Sequence, residues 1–192
     1  MEIKTIAIVG ASRLGRELAY VALIAGYRTV LEDVSLSALH QGIAWTLKTL
    51  DDDAAHGKIA VAVRDAALAN LTASISAEDA SREADLIIET VADEEEMKLE
   101  LFTIFDKFAK PGAILASTTR SLSITELAEI TFCQDRCIGM HFFADTSGAQ
   151  RLELVRGRAT SEETIVACHE MGQRMGREVS VRTEEQLRSA GA

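Results

Sequence analysis

Proline occurs once, at Pro111, and no stretch is of low complexity, which excludes long flexible or polyproline linkers. Cysteine is scarce and odd in number: Cys133, Cys137 and Cys168 cannot build a disulfide framework. The Cys133/Cys137 spacing has no second ligand pair, and His40, His56 and His169 have no converging carboxylate or cysteine pattern, so no metal site is expected. A reducing compartment, the cytoplasm, follows from that cysteine usage. No basic run exceeds two residues and the net charge is −10, which excludes an electrostatic grip on nucleic acid or an anionic membrane. No apolar run approaches the ~20 residues needed to cross a bilayer. The strand pattern begins at once, at Ile3, so no secretory leader is expected.

What remains is a chain of 192 residues, 47% hydrophobic, of a size and composition that suit one well-cored domain. Its pattern alternates between strand and helix. Lys4–Val9 reads as a buried parallel strand ended by Gly10. Leu14, Leu18, Ala19, Ala22 and Ala25 recur at helical spacing up to Gly26, and Thr29–Leu31 is a second short strand. A helix is expected from Ser35 to Leu50, with Leu36, Leu39, Ile43, Leu47 and Leu50 as its stripe and Trp45 on its apolar face. Asp51-Asp52-Asp53 and Gly57 are expected to break it before a second helix over Ala60–Asn70, giving a projecting helical hairpin.

Short strands are expected at Ala73–Ile75 and Asp85–Glu89, then an amphipathic helix over Glu94–Phe108 with Met97, Leu101, Ile104, Phe105 and Phe108 on one face. Strands at Ala113–Ser117, Arg136–Phe142, Arg151–Val155 and Glu178–Val181 follow, with helices opening at Ser123 (a capping box with Glu126) and over Glu162–Met175. This alternation defines an α/β class: a Rossmann-type, doubly wound, mostly parallel sheet with a helical hairpin insertion. Residues 1–183 are expected to form the nucleotide-binding domain and residues 184–192 a polar tail, drawn as a frayed helix.

The turn after the first strand reads Gly10-Ala11-Ser12-Arg13-Leu14-Gly15, a variant of the dinucleotide fingerprint with serine at the second glycine. Gly10 permits the tight turn and Gly15 the close approach of helix to strand, so that helix N–H groups face a pyrophosphate. The Ser12 hydroxyl can donate to phosphate, and Arg13 can add a cation. Asp33 ends the second strand at the distance expected for a carboxylate that accepts from a ribose 2′-hydroxyl and repels a 2′-phosphate, which favours NAD over NADP.

Further along, Asp85-Leu86-Ile87-Ile88-Glu89, Ser121-Leu122-Ser123-Ile124-Thr125, Ile138-Gly139-Met140-His141-Phe142-Phe143 and Leu152-Glu153-Leu154-Val155 stand in one order. With them the sequence resembles the NAD-binding domain of the 3-hydroxyacyl-CoA dehydrogenase family, from Ile3 to about Val181. The resemblance implies NAD as cofactor, a nucleotide-contacting acid and lysine at Asp93 and Lys98, and a catalytic dyad of His141 and Glu153. Chemistry agrees: oxidising a secondary alcohol needs a base for the hydroxyl proton, and a carboxylate behind a histidine fixes its tautomer. Beyond the match the family continues into a helical domain, so a homodimer or a partner chain is expected to supply that cover.

The sequence also departs from the family. Ser117-Thr118-Thr119-Arg120-Ser121-Leu122 places Arg120, counted here with the catalytic residues, where the family has a serine that helps hold the substrate oxygen. Ala144-Asp145-Thr146-Ser147 replaces an Asn-Pro-Val-Pro run, and the only asparagine, Asn70, lies in the hairpin. The hairpin, which in the family offers basic groups to CoA, carries Asp51-Asp52-Asp53. Three readings stay open: an NAD-dependent dehydrogenase of a 3-hydroxyacyl-CoA, a non-catalytic NAD(H)-binding relative, and a dehydrogenase of a small anionic hydroxy acid held by Arg120.

Overall fold

The structure, a computed structural model, describes residues 2–144 and 148–190. The chain begins with strand β1 (Thr5–Val9), helix α1 (Arg13–Ile24) and strand β2 (Arg28–Glu32). A helical hairpin of α2 (Leu36–Ala55) and α3 (Val61–Asn70) leads to β3 (Leu71–Ser74). Then come α4 (Ala77–Arg82), β4 (Leu86–Glu89), α5 (Glu95–Phe108), β5 (Ile114–Ser117) and α6 (Ile124–Glu129). The last elements are β6 (Cys137–Ala144), β7 (Gln150–Arg156), α7 (Glu162–Arg174), β8 (Glu178–Thr183) and α8 (Glu184–Ala190).

The strands form one sheet in the order β3-β2-β1-β4-β5-β6-β7-β8, parallel throughout except where β6 meets β7. The crossovers from β1 run one way to β2 and the other way to β4, which opens a crevice at the carboxyl ends of those strands. Two apolar layers cover the sheet. Leu18, Leu39, Ile165 and Met171 pack α1, α2 and α7 on one face. Ala80, Phe102, Phe105 and Leu127 pack α4, α5 and α6 on the other. Each large side chain so buried contributes about 1.5–3 kcal/mol. The hairpin seats on α1 through Leu23, Leu50 and Ala67.

The expected Rossmann-type architecture with its hairpin is therefore present, with local differences. Asp51-Asp52-Asp53 do not break the helix: α2 runs through them to Ala55, and Gly57, at φ +71°, ends it. Each acid has a partner, Arg64 for Asp51, Lys48 for Asp52, and both Tyr20 and Lys58 for Asp53. The buried stripe of α2 is Leu39, Gly42, Thr46 and Leu50, whereas Leu36 and Leu47 are exposed. Trp45 is half-buried, edge-on to Tyr20 and beneath the Arg16 guanidinium.

Strand β3 starts at Leu71 rather than Ala73, and Ile75 lies outside it, exposed. The short α4 was not expected; its Ser76 cap accepts from the Asp79 N–H, and six residues carry too little periodicity to announce a helix. On α5 the buried positions are Lys98, Phe102 and Phe105, while Met97 is 40% exposed. The face is rotated because Lys98 is drawn inward by a carboxylate on β4.

The segment after β8 is helical as α8. Glu184 at its start reaches the amino end of α6, accepting from the amides of Ile124 and Thr125 and from the hydroxyls of Ser123 and Thr125. The Ser123 hydroxyl also takes the Glu126 N–H, as the capping motif requires.

Candidate active site

The glycine loop stands at the crevice. Gly10 adopts φ +106°, a conformation L side chains rarely take. A Cβ on Gly15 would lie 1.8 Å from the Gly10 carbonyl oxygen, so the loop and the first turn of α1 touch with no room for a side chain. Thr90, just past β4, holds the loop from the other side by donating to the carbonyls of Val9 and Gly10. Ser12 is the N-cap of α1 but its side chain caps no amide, so the first N–H groups of a twelve-residue helix are left free to meet an anion. Leu14 packs inward against the core. Arg13 is exposed and its guanidinium is paired with Glu17 on the next turn of α1.

Asp33 directly follows β2 and bridges it to this loop: one carboxylate oxygen accepts from the Ala11 N–H at 2.9 Å and the other from the Ser35 N–H at 2.8 Å. Each oxygen retains acceptor capacity for a ribose hydroxyl. The preceding residue, Glu32, is 2% exposed, and one of its carboxylate oxygens is buried with no hydrogen-bond partner among the described residues. Burial, aided by the Asp33 charge, pushes its carboxyl up to about 7. Free helix amides, two touching glycines and a strand-end acid together fit a dinucleotide.

Behind β4 lies a buried charge cluster that sequence reasoning only half found. The Lys98 ammonium reaches both oxygens of Glu89, at 2.8 and 2.7 Å, and Glu89 also accepts from the Ser117 hydroxyl and the Val91 N–H. Lys98 is 3.6 Å from Asp93 and is itself buried, so it meets Glu89 more closely than the crevice. Asp93 faces outward and accepts from the hydroxyls of Thr119 and Ser121 and the Arg120 N–H. Burial raises its carboxyl, but those hydrogen bonds and Lys98 outweigh it and hold Asp93 below the ordinary carboxylate range. The signal for Glu89 was a carboxylate at the end of the apolar run Leu86-Ile87-Ile88.

On the antiparallel pair β6/β7, His141 stands directly opposite Glu153. The His141 Nδ1 is 3.5 Å from Glu153 Oε2, and Nε2 is 2.7 Å from the Thr119 carbonyl oxygen. A carbonyl only accepts, so Nε2 carries the proton in this arrangement. The other Glu153 oxygen is paired with Arg182 of β8 at 2.9 Å. Neither Thr119 nor Arg182 was singled out from sequence, since both meet the dyad only through strand pairing and the turn after β5. His141, Glu153, Arg120 and Phe143 line one open cavity of about 350 Å³, and His141 and Arg120 also border a smaller one of about 100 Å³. Asp145, Thr146 and Ser147, which the family resemblance brings up, lie outside the described residues.

No helix among the described residues is long and apolar enough to cross a membrane, and no group of three potential metal-ligating acids, cysteines or histidines occurs among them. Cys133, Cys137 and Cys168 are free and buried.

Sheet order, glycine loop and strand-end acid define an NAD-binding Rossmann domain. Residues 5–186 match the family model described as 3-hydroxyacyl-CoA dehydrogenase, NAD binding domain, and the chain belongs to that family. It is 35% identical over 179 residues to a 3-hydroxybutyryl-CoA dehydrogenase of Bradyrhizobium diazoefficiens, covering 93% of this chain and 61% of the relative. A probable 3-hydroxybutyryl-CoA dehydrogenase of Bacillus subtilis is 36% identical over 92% of this chain and 61% of the relative. The crystal structure of the (S)-3-hydroxybutyryl-CoA dehydrogenase PaaH1 from Ralstonia eutropha superposes with a TM-score of 0.86 at 32% identity, over 95% of this chain and 64% of that one. The chain thus spans less than two thirds of the length of these relatives.

Proposed function

We propose that the chain oxidises the 3-hydroxy group of a 3-hydroxyacyl substrate, with NAD as acceptor and His141 as the base; in the family-typical form that substrate is a CoA thioester. The observation that supports this is the direct opposition of His141 and Glu153 across β6 and β7, with Nδ1 turned to the carboxylate. Bound NAD supplies the hydride acceptor. The substrate O–H proton passes to Nε2 as the C–H bond gives up its electron pair, and the carbon–oxygen double bond forms. To act, the imidazole leaves the Thr119 carbonyl, releases its Nε2 proton and takes the tautomer with the proton on Nδ1, facing Glu153, so that the bare Nε2 can accept the substrate proton. Arg182, on the far oxygen of Glu153, restrains that carboxylate. Gly10, Ala11, Ser12, Arg13, Leu14 and Gly15 would hold the nucleotide's pyrophosphate, Asp33 its ribose, and Asp93, backed by the buried Lys98, would stand near it.

The test is NADH formation from 3-hydroxybutyryl-CoA by wild type and His141→Gln. Losing a general base lowers kcat by about 100- to 10,000-fold, and an unchanged rate would remove His141 from this role. A second reading, a non-catalytic NAD(H) binder, draws on the engagement of Nε2 by Thr119. It predicts NADH binding with no turnover of any hydroxyacyl substrate. The open cavity over His141 is compatible with cover by a second copy or by a helical partner chain; sedimentation of the chain alone and with candidate partners tests that part.

A further inference from the structure

Among the described residues, Arg120 is the departure from the family that lines the cavity of the base. It is exposed, it borders both openings shared with His141, and its guanidinium has no acceptor among the described residues. Its neighbours are otherwise compensated. Glu153 is paired with Arg182, and Lys98 with Glu89 and, more distantly, Asp93. Only the backbone N–H of Arg120 is used, donated to Asp93 at 3.3 Å, which holds the residue in place and leaves the side chain free. An uncompensated guanidinium beside a proton-abstracting group is a receptor for a planar anion, above all a carboxylate.

The hairpin supplies a second, independent observation. Its cations are Lys48, Lys58 and Arg64, against the carboxylates of Asp51, Asp52, Asp53 and Asp65. Lys48 is paired with Asp52, Lys58 with Asp53, and Arg64 with both Asp51 and Asp65. No hairpin cation is left over for the phosphates of a CoA, and the net charge of α2 and α3 is acidic. Beside His141, the cation left for an anionic substrate among the described residues is thus Arg120, and the hairpin offers none.

We infer that the substrate is a free 3-hydroxy acid whose carboxylate is bound by Arg120, in place of a CoA thioester. This rests on the proposed oxidation at His141 and narrows its substrate. The carboxylate takes the position where the thioester carbonyl would lie, two carbons from the carbinol hydrogen, so the same hydride and proton transfers give a 3-oxo acid. Arg120 is then a specificity-determining residue.

The experiment compares kcat/KM for 3-hydroxybutyrate, its uncharged amide and 3-hydroxybutyryl-CoA in wild type, Arg120→Lys and Arg120→Ser. NADH affinity is measured alongside as a control for folding. The expected result is that wild type prefers the acid to both other compounds. Arg120→Ser should lower kcat/KM for the acid by about 10- to 100-fold, the scale of a charge-assisted hydrogen-bonded pair. The amide, which lacks the charge, should lose several-fold less than the acid, and Arg120→Lys should recover part of the acid's loss. Preference of wild type for the thioester, or an equal loss for all three compounds, overturns the role of Arg120 while leaving the proposed oxidation standing. If wild type turns over none of them yet binds NADH, the oxidation fails instead. Acetoacetate binding to the NADH complex then decides: weakening of 10-fold or more in Arg120→Ser supports the carboxylate site, and an unchanged affinity overturns it.

Discussion

Lys98 and Glu89 form a fully buried ion pair, the ammonium held between both carboxylate oxygens, with Ser117 and the Val91 N–H completing the acid's partners. Removing one partner leaves an uncompensated charge in the core beneath the crevice. Lys98→Met is therefore expected to destabilise the domain by about 3–5 kcal/mol in urea unfolding. Lys98→Met combined with Glu89→Leu should recover part of that loss, because the carboxylate no longer has to be buried alone. A double variant no more stable than Lys98→Met would show that the pair does more than neutralise itself.

Glu32 gives a pH dependence of defined sign. Its carboxyl is raised from an ordinary 4.5 to about 7, by burial first and by Asp33 second. The folded state therefore holds a proton that the unfolded chain has already released. Its contribution is fully present below pH 4.5 and is lost as the pH rises through about 7. The difference is on the order of 3 kcal/mol. The carboxyls of Asp85 and Asp93 are lowered, so their own losses fall in the acid range and do not mask this one. Thermal melts between pH 5 and 8 should show Tm falling in wild type and a flatter profile in Glu32→Gln. Identical profiles would show that Glu32 does not hold the proton.

Glu184 joins the last helix to the front of α6 through four donors from Ser123, Ile124 and Thr125. Glu184→Ala should cost about 1–2 kcal/mol, the scale of a lost helix cap. The loss should appear locally, as faster amide exchange in α6 with little change in α5. Uniformly faster exchange across the sheet would contradict a local capping role.

The segment from Thr5 to Asp33 was legible because its signals are local: a buried strand, a turn that only glycines fit, and an acid at a fixed distance. The pairing of His141 with Glu153 was legible because their strands are consecutive and the family resemblance set the two residues in register. Other features depend on distant partners. Asp51-Asp52-Asp53 look like a helix breaker until Tyr20, Lys58 and Arg64 are folded against them. The rotated face of α5 follows from one lysine finding Glu89, nine residues away, across the β4–α5 turn. Arg182 meets Glu153 only because β8 lies parallel to β7, and Thr119 meets His141 only because the turn after β5 brings its carbonyl there. Local pattern carries none of these.

Asp33 is expected to do two jobs that a substitution can separate. Its carboxylate holds the glycine loop by accepting from the Ala11 N–H, and in the proposed reading it also meets the adenosine ribose. Asp33→Asn keeps an oxygen for the Ala11 N–H but removes the charge. Asp33→Ala removes both. Fluorescence titration should show Asp33→Asn with NADH weakened by about 10-fold, the scale of a hydrogen bond to a charged group. NADPH, no longer repelled, should bind better than it does to wild type. Asp33→Ala should weaken both nucleotides, since the loop loses its tether as well. Equal affinity of wild type for NADH and NADPH, unchanged by Asp33→Asn, would place the ribose away from this acid. Recovery of NADPH binding without recovery of NADH binding is the result that ties the cofactor preference to the charge rather than to the shape of the loop.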